Sequence, residues 1–307
     1  MRIGVIGAGA MGGTYGGLLA EAGADVHLFD SWTDHVEAIR ANGLTIDRPA
    51  DPPLTVDIPA TTDPADIGPV DLAVVFVKAH QIEDALPMAA PMIDDDTVVV
   101  TLQNGLDHID RIAAFVPRER ILGGATTFGA EVRGPGHVRL AGRGMNKLGG
   151  PDRGAADRVA DTFTAAGLAT EVVDDPEAHI WHKQFTSVGL KPVAALTELL
   201  DGPIAEFGPT WSVVETLITE AIDVARARDI PVLGDPIADT RELCREVVYD
   251  ARSSMLEDVL NERPTEIDAI NGAVVAYGES AGVPTPMNRM ATALVKGKER
   301  SYRDDSD

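Results

Sequence analysis

Three glycines near the start of the chain have the spacing of a loop that binds dinucleotide phosphates. They lie in Gly7-Ala8-Gly9-Ala10-Met11-Gly12, after the apolar run Arg2–Ile6 and before a helical pattern over residues 11–22. The first glycine permits a tight turn, the second lets the backbone approach a pyrophosphate, and the third lets helix and strand pack closely. The helix N-terminus then offers unpaired N–H groups to the phosphates. All six residues are therefore predicted to bind a cofactor, against the alternative of a glycine-rich turn without a ligand.

A carboxylate at the end of the second apolar run indicates which nicotinamide cofactor the loop would bind. Asp30 follows Gly12 by 18 residues and ends the run over residues 25–30. A carboxylate at this point accepts hydrogen bonds from the adenosine ribose, and it repels the 2′-phosphate of NADP. Asp30 therefore predicts a preference for NAD(H) over NADP(H), unless a distant arginine such as Arg40 binds that phosphate.

Two polar residues directly follow buried strands of the predicted sheet. Lys78 ends the apolar run over residues 71–77, and Asn104 follows the run over residues 97–102. Open α/β sheets bind their ligands at the carboxyl ends of the strands, so both residues are candidates for a ligand site. The alternatives are a solvated loop lysine and the first position of an Asn-Gly turn.

A third set of polar residues lies on a helical pattern in the second half of the chain. Lys183, Ser187 and Lys191 are spaced by four, so they share one face of a helix. Proline disfavours helical backbone at the residue before it, so Pro192 predicts that this helix ends or kinks at Lys191.

The elements that position these residues change character once along the chain. Strands and helices alternate up to residue 175, and from residue 176 only patterns with the helical period of 3.6 remain. We therefore predict an α/β fold, with a Rossmann-type doubly wound sheet domain over residues 1–175 and an all-helical domain over residues 176–307. In the first domain we expect one long strand over residues 121–130, and a hairpin that pairs residues 137–140 with residues 145–148.

Composition excludes several classes of partner. The chain has 26 basic and 49 acidic residues, a net charge of −23, which argues against nucleic acids and anionic membranes. No apolar run reaches the roughly 18 residues that a membrane span needs, so a cytoplasmic protein is expected. Lysine is scarce, and excess acid with little lysine is typical of proteins from salt-loving organisms; an unusually acidic mesophilic protein is the alternative. No metal site is predicted, and the sequence leaves the oligomeric state open, with a homodimer as one option.

Further motifs in the second half complete a recognisable series. The series comprises the glycine loop, Lys78, Gln103-Asn104-Gly105, the helix of Lys183, Ser253-Ser254-Met255-Leu256, and Thr265-Glu266-Ile267-Asp268 followed by Asn271-Gly272. In type and order these motifs resemble the ketopantoate reductases over nearly the whole chain. The family reduces 2-dehydropantoate to pantoate, usually with NADPH, on the way to pantothenate and coenzyme A.

The resemblance implies a role for each matching residue. Lys183 matches the catalytic lysine that protonates the substrate carbonyl oxygen, and Glu266 matches the glutamate that completes the active site. Ser254 matches a substrate-binding serine. Lys78, Asn104 and Glu266 match residues that line the cofactor site, and Asn104 also faces the substrate.

The chain departs from its apparent family at two positions expected to face the substrate. Ser187 and Lys191 stand where asparagines are common in the family, and we expect both to bind substrate, with Lys191 anchoring the carboxylate of a 2-keto acid. The departures leave a related NAD-dependent 2-hydroxyacid dehydrogenase as an alternative. A non-catalytic dinucleotide sensor and a dehydrogenase of the 6-phosphogluconate type are further alternatives. The sensor has no need of the Lys183–Glu266 pair, and the other family's local lysine motif is not found here.

Overall fold

The chain divides into two units, each with its own set of internal contacts. The structure, a computed structural model, describes residues 1–49, 51–142 and 144–302. One unit comprises residues 1–103 and 108–176, and the other comprises residues 104–107 together with the chain from residue 177. The short segment of residues 104–107 therefore belongs to the second unit, although it lies within the first half of the sequence.

The first unit is built on two sheets. Its strands are β1 (Arg2–Ile6), β2 (Asp25–Phe29), β3 (Leu44–Arg48), β4 (Asp51–Val56), β5 (Ala60–Thr61), β6 (Leu72–Val75), β7 (Val98–Thr101), β8 (Ile121–Thr126), β9 (Gly129–Gly134), β10 (His137–Gly142), β11 (Asn146–Gly149) and β12 (Thr170–Val172). Eight strands form the larger sheet in the order β12-β11-β8-β7-β6-β1-β2-β5, and four form a smaller sheet in the order β4-β3-β10-β9.

The larger sheet is doubly wound about its first strand. Strand β1 pairs in parallel with β2 on one side and with β6 on the other, so the strand order reverses at β1. The α-helices of this unit are α1 (Ala10–Glu21), α2 (Thr33–Asn42), α3 (Ile82–Met88), α4 (His108–Ile112) and α5 (Arg153–Ala165). In such sheets the ligand crevice lies outside the carboxyl ends of the strands at the point of reversal. The glycine loop begins at this point.

Both faces of the larger sheet are buried. Along β6, Val74 belongs to one apolar cluster while its neighbours Ala73 and Val75 belong to another. Successive side chains of a strand point to opposite faces, so the two clusters cover the two sides of the sheet. A continuous apolar run such as that of β6 is what a strand buried on both faces requires.

The smaller sheet packs closely against α1. A Cβ atom at Gly17 would lie 2.4 Å from Cδ1 of Ile46 and 3.2 Å from Cδ2 of Leu44, both on β3. The close approach requires glycine on that face of the helix. The sequence analysis did not predict β3, β4 or β5. The apolar–polar alternation of β3 covers only residues 44–47, β4 contains two prolines, and β5 has only two residues.

The second unit is helical. Its elements are α6 (Pro176–Thr197), α7 (Asp201–Glu206), α8 (Gly208–Ala227), α9 (Pro236–Glu246), α10 (Ser254–Leu260), a turn of π-helix (Asp268–Gly272), α11 (Ala273–Ala281) and α12 (Pro286–Arg300). The predicted fold class, a Rossmann-type sheet domain followed by helices, is confirmed. Within the described residues, no helix is both long enough and apolar enough to cross a membrane.

Helix α6 does not end at Lys191, so the predicted end of the helix is wrong. The helix continues through Pro192 to Thr197. Proline has no N–H to donate to the carbonyl four residues earlier, which here is that of Val188. The side-chain amide of Asn271 donates to that carbonyl instead, at 3.0 Å, and Asn271 is fully buried. A side chain distant in sequence therefore replaces the lost backbone hydrogen bond.

Two predictions about strands are also wrong. The expected strand over residues 121–130 is two strands, since β8 pairs in the larger sheet and β9 in the smaller one. The expected hairpin does not form, because β10 pairs with β3 and β9, whereas β11 pairs with β8 and β12. A local pattern of apolar residues does not specify which of two sheets a strand joins.

Candidate active site

The glycine loop has the geometry that its spacing predicts. Gly7 has φ +91°, a conformation that residues with a side chain rarely adopt. A Cβ atom at Gly12 would lie 1.8 Å from the carbonyl oxygen of Gly7, so the turn closes only when both residues are glycine. The loop thereby brings the start of α1 directly to the end of β1.

The start of α1 fits a phosphate group. Gly9 is the N-cap residue, no side chain caps the helix, and its first turn holds no acidic residue. A Cβ atom at Gly9 would meet no atom within 4 Å, so the backbone is open to an approaching ligand. Ala10 and Met11 begin the helix, and their N–H groups have no carbonyl partner within it. These features fit the pyrophosphate of a dinucleotide.

Asp30 is held in place at the end of β2 by two backbone groups. Its Oδ2 accepts a hydrogen bond from the N–H of Ala8 at 2.7 Å, and its Oδ1 accepts one from the N–H of Trp32 at 2.9 Å. An ionised carboxylate has about four acceptor sites, so these bonds leave capacity for ribose hydroxyls. The N–H of Ala8 is thereby engaged and is not available to a phosphate.

Lys78 lies just beyond the carboxyl end of β6, as expected. Its N–H donates to Oε1 of Gln81 at 3.0 Å, which starts a short 3₁₀ turn. The side-chain amide of Gln103 donates to the carbonyl oxygen of Val77, so the segments that follow β6 and β7 are tied together. The backbone of Lys78 is therefore fixed at the edge of the sheet where ligands bind.

In the second unit, three of the predicted site residues form one hydrogen-bonded cluster. Nζ of Lys183 donates to Oδ1 of Asn104 at 2.5 Å, and Nδ2 of Asn104 donates to Oε2 of Glu266 at 3.2 Å. Only one orientation of the amide satisfies both partners, because its oxygen must accept from the ammonium and its nitrogen must donate to the carboxylate. Asn104 thus links the lysine to the glutamate.

Backbone contacts hold the three residues of this cluster. The N–H of Leu106 donates to the carbonyl of Ala269 at 2.9 Å, which fixes the segment of Asn104 against the π-turn. The N–H of Thr265, next to Glu266, donates to Oε1 of Glu299 at 2.8 Å. Lys183 is carried by α6, whose continuity depends on Asn271. The π-turn closes through a bond from the N–H of Gly272 to the carbonyl of Ile267, five residues earlier. Such turns are frequent at functional sites.

The environment brings the pKa of Lys183 close to neutrality. The pKa of Lys183 is lowered to about 7, mainly by burial and also by the positive charge of Lys191, while the carboxylate of Glu266 opposes the shift. Burial of an ammonium disfavours its charged form, whereas a nearby carboxylate favours it. Lys183 can therefore gain and lose a proton near pH 7, as a general acid must.

The structure adds one residue that the sequence did not point to. Asp201 is only 7% exposed, and within the described residues its Oδ1 is buried without a hydrogen-bond partner. Burial raises its pKa to about 6, and the charge of Lys191 opposes that shift. Lys191 thus acts electrostatically on both Lys183 and Asp201. Asp201 stands before Gly202-Pro203, a pattern typical of an exposed turn, so nothing local indicated a buried carboxylate.

The remaining predicted residues differ in their exposure. Ser187 is 6% exposed and lies one turn beyond Lys183 on α6. Ser254 is exposed at the first position of α10, and the residue that caps this helix is Ser253, whose hydroxyl accepts from the N–H of Leu256 at 3.3 Å. Ser254 therefore does not cap this helix. The described part of the chain holds no group of three or more His, Cys, Asp or Glu side chains able to bind a metal ion.

The chain is similar to known proteins over nearly its full length. The family described as ketopantoate reductase PanE/ApbA matches residues 3–153, and its C-terminal part matches residues 175–299. A 2-dehydropantoate 2-reductase of Halobacterium salinarum is 32% identical over 304 residues, which are 98% of this chain and 99% of that protein.

Two solved structures are similar in fold. A ketopantoate reductase of the PanE/ApbA family from Ralstonia eutropha has a TM-score of 0.93 at 29% identity, over 99% of this chain and 100% of that chain. D-mandelate dehydrogenase, in a ternary structure with NADH and anilino(oxo)acetate, has a TM-score of 0.92 at 32% identity, over 98% of this chain and 99% of that chain.

Fold, site and comparisons together define an oxidoreductase that acts on a CH–OH group and uses a nicotinamide cofactor. Both parts of one family are matched in order, and together they cover most of the chain. The chain belongs to the ketopantoate reductase family.

Proposed function

We propose that this protein reduces a 2-keto acid, 2-dehydropantoate, to the corresponding 2-hydroxy acid, pantoate. The observation that carries the proposal is the cluster of Lys183, Asn104 and Glu266, in which a lysine with a pKa of about 7 is linked by an amide to a carboxylate. A dinucleotide sensor that performs no chemistry has no need of such a group. The division into residues 1–175 for the dinucleotide and residues 176–307 for catalysis remains our proposal, with Asn104 contributed to the catalytic cluster from the first of these segments.

The proposed chemistry assigns one proton to Lys183. When bound, the nicotinamide supplies the hydride that reduces the keto carbon. The keto oxygen gains negative charge as its carbon is reduced, and the ammonium of Lys183 stabilises that charge and donates a proton to the oxygen. Asn104 accepts a hydrogen bond from one of the three N–H groups of the ammonium, and this bond fixes the orientation of the ammonium. The negative charge of Glu266 raises the pKa of Lys183, so a larger fraction of the lysine is protonated at neutral pH.

We propose that the substrate carboxylate binds Lys191, with the hydroxyls of Ser187 and Ser254 as further donors. A carboxylate moved into a site that partly excludes water is costly without a partner, and a cation both neutralises it and donates hydrogen bonds. Lys191 lies on the same helix as Lys183, and it acts on the charge of that residue. Lys183 thereby stays available for proton transfer while Lys191 holds the substrate.

We propose NADH as the preferred cofactor. Asp30 is fixed where the 2′-phosphate of NADPH would approach, and like charges repel there. Arg40, the arginine that could compensate, is engaged elsewhere. Its Nε donates to the carbonyl of Ala60 at 2.6 Å, and its Nη2 lies 4.0 Å from Oδ2 of Asp66.

Steady-state kinetics with the two cofactors test this preference. The wild type should have a higher kcat/KM with NADH than with NADPH, and Asp30→Ala should narrow or reverse that ratio. Asp161→Ala is the matched control, since it removes an exposed carboxylate of the same unit that lies on α5, outside the glycine loop. A wild type that prefers NADPH tenfold or more would show that Asp30 does not select the cofactor.

A second candidate is an NAD-dependent 2-hydroxyacid dehydrogenase with a different substrate side chain. The residues that favour it are Ser187, Lys191 and Asp30, which depart from the usual pattern of the family, and a D-mandelate dehydrogenase solved with NADH is 32% identical to this chain. A turnover screen decides between the two. It compares 2-dehydropantoate with benzoylformate and aliphatic 2-keto acids, with NADH and NADPH, at low and high salt. The highest kcat/KM identifies the substrate class, and no turnover with any 2-keto acid would contradict both candidates.

We also propose that the acidic surface is an adaptation to high salt and that the enzyme acts in the cytoplasm, with a homodimer as an option for its assembly. The support for the first of these is the net charge of −23.

A further inference from the structure

A fully buried histidine lies behind the glycine loop, and the proposed mechanism does not use it. His35 belongs to the first turn of α2 and is 0% exposed. Its Nδ1 accepts a hydrogen bond from the N–H of Gly136 at 3.0 Å, and its Nε2 lies 3.0 Å from the carbonyl oxygen of Ala8. Both ring nitrogens are therefore engaged with backbone groups, one of them in the glycine loop.

These partners determine the state of the ring. An N–H donor points at Nδ1, so that nitrogen must carry the lone pair and the proton must reside on Nε2. Nε2–H therefore donates to Ala8. Burial lowers the pKa of His35, with the Ala8 carbonyl and the charge of Asp30 opposing the shift, so the neutral ring is the form at pH 7.

Three residues, Asp30, Trp32 and His35, form a closed ring of contacts with Ala8. Asp30 accepts from the N–H of Ala8 and from the N–H of Trp32. The indole of Trp32 stacks on the imidazole of His35, with 4.8 Å between centroids and 12° between planes. His35 then returns to the carbonyl of Ala8. Both backbone polar groups of Ala8 are thereby fixed, the N–H by Asp30 and the C=O by His35.

The direction of one carbonyl determines the direction of the next N–H. In a planar trans peptide the C=O of one residue and the N–H of the next point in opposite directions. The carbonyl of Ala8 points to His35 in the interior, so the N–H of Gly9 points the opposite way. Gly9 is the position where an added Cβ would meet no protein atom within 4 Å. We propose that His35 is a positioning residue that aims the N–H of Gly9 at a phosphate of the dinucleotide.

This inference rests on the proposed dinucleotide function, and two conservative variants separate its parts. The side-chain amide of glutamine reaches the position of Nε2, so His35→Gln can still donate to Ala8. The amide of asparagine reaches the position of Nδ1, so His35→Asn keeps the acceptor for Gly136 and loses the donor to Ala8. We expect His35→Asn to raise the Kd for NADH about tenfold, a change that corresponds to the loss of one well-aligned interaction, while His35→Gln stays within about threefold of the wild type. The kcat at saturating NADH should not change in either variant.

A purely structural role predicts a different result. If His35 only ties α2 to the turn of Gly136, then His35→Asn should bind NADH like the wild type, and His35→Gln should be the weaker variant in both affinity and Tm. Either of these observations overturns the proposal. A second comparison uses smaller probes: His35→Asn should lose affinity for ADP and keep its affinity for adenosine, and an equal loss for both overturns the proposal as well.

A measurement on the wild type covers the case in which neither variant folds. The amide resonance of Gly9 should shift on addition of ADP and stay unchanged on addition of adenosine, and an unshifted Gly9 resonance with bound ADP overturns the inference. A wild type that binds neither NADH nor NADPH contradicts the proposed function itself, whereas normal wild-type binding with an unaffected His35→Asn contradicts the role of His35 alone.

Discussion

At the scale of single residues, the lysine of the cluster has the most direct consequences. Lys183→Ala should lower kcat by about 10²–10⁴-fold, the value of a positioned general acid, while the Kd for NADH changes little. Lys147→Ala is a matched control, since that lysine forms an ion pair with Glu171 on the outer strands of the sheet. Stopped-flow or steady-state kinetics at saturating cofactor measure the effect. A variant with near-normal kcat would remove Lys183 from the mechanism.

The pKa of the same lysine predicts the pH dependence. Reduction needs the protonated ammonium, so kcat for the keto acid should fall as pH rises above about 7, and oxidation of the hydroxy acid should rise over the same range. The carboxylate of Glu266 raises this pKa, so Glu266→Gln should move the fall to lower pH. A pH–rate profile of both proteins checks the shift. If kcat of Glu266→Gln fell over the same pH range as that of the wild type, the fall would reflect the titration of a group other than Lys183.

Lys191 should affect two quantities at once. As an anchor for the substrate anion, Lys191→Ala should raise KM for the keto acid far more than it changes kcat at its optimum. Its charge also lowers the pKa of Lys183, so the loss of that charge should move the fall in kcat to higher pH. Lys191→Arg keeps the charge and is the control. Unchanged KM on the true substrate would indicate that Lys191 binds no substrate.

At the scale of elements, helix α6 shows how a side chain replaces a backbone hydrogen bond that a proline cannot form. Asn271→Ala leaves the carbonyl of Val188 buried without a donor, which should cost about 1–3 kcal/mol of the free energy of unfolding. In a Pro192→Ala background, the new N–H of residue 192 can bond to Val188 itself, so the same Asn271→Ala change should cost less. Denaturant unfolding of the four proteins of this cycle measures the coupling. Equal costs in both backgrounds would show that Asn271 does not compensate for the proline.

The features that could be predicted from the sequence are those determined by residues close together in the chain. The glycine loop could be predicted because its constraints lie within residues 7–12, and the face shared by Lys183, Ser187 and Lys191 follows from helix geometry alone. The passage of α6 through Pro192 could not be predicted, because its cause is Asn271, some 80 residues away. Asp201 was missed for a similar reason, since burial of its carboxylate depends on how α7 packs. The division of residues 121–130 between two sheets depends on partner strands that no local pattern names.

At the scale of the whole molecule, charge is the dominant property. With 49 acidic and 26 basic residues, self-repulsion should destabilise the folded state at low ionic strength. Exposed charges are largely screened beyond about 8–10 Å near 0.1 M salt and beyond about 3 Å at 1 M. We therefore expect Tm to rise from low salt to molar KCl. Glycerol at matched osmolality is the control, since it does not screen charge. A flat or falling Tm would count against adaptation to salt.

The membership of residues 104–107 in the helical unit has a consequence for how such enzymes can recombine. A crossover at residue 176 falls at the boundary between the sheet part and the helical part of the sequence, yet it separates Asn104 from the lysine and glutamate with which it forms hydrogen bonds. A chimera made there inherits the amide of Asn104 from one parent and the hydrogen-bond partners of that amide from the other. Successful exchange must therefore transfer two stretches of gene together, or draw on parents that share the asparagine. The three residues of this cluster are therefore encoded on both sides of residue 176, Asn104 before it and Lys183 and Glu266 after it.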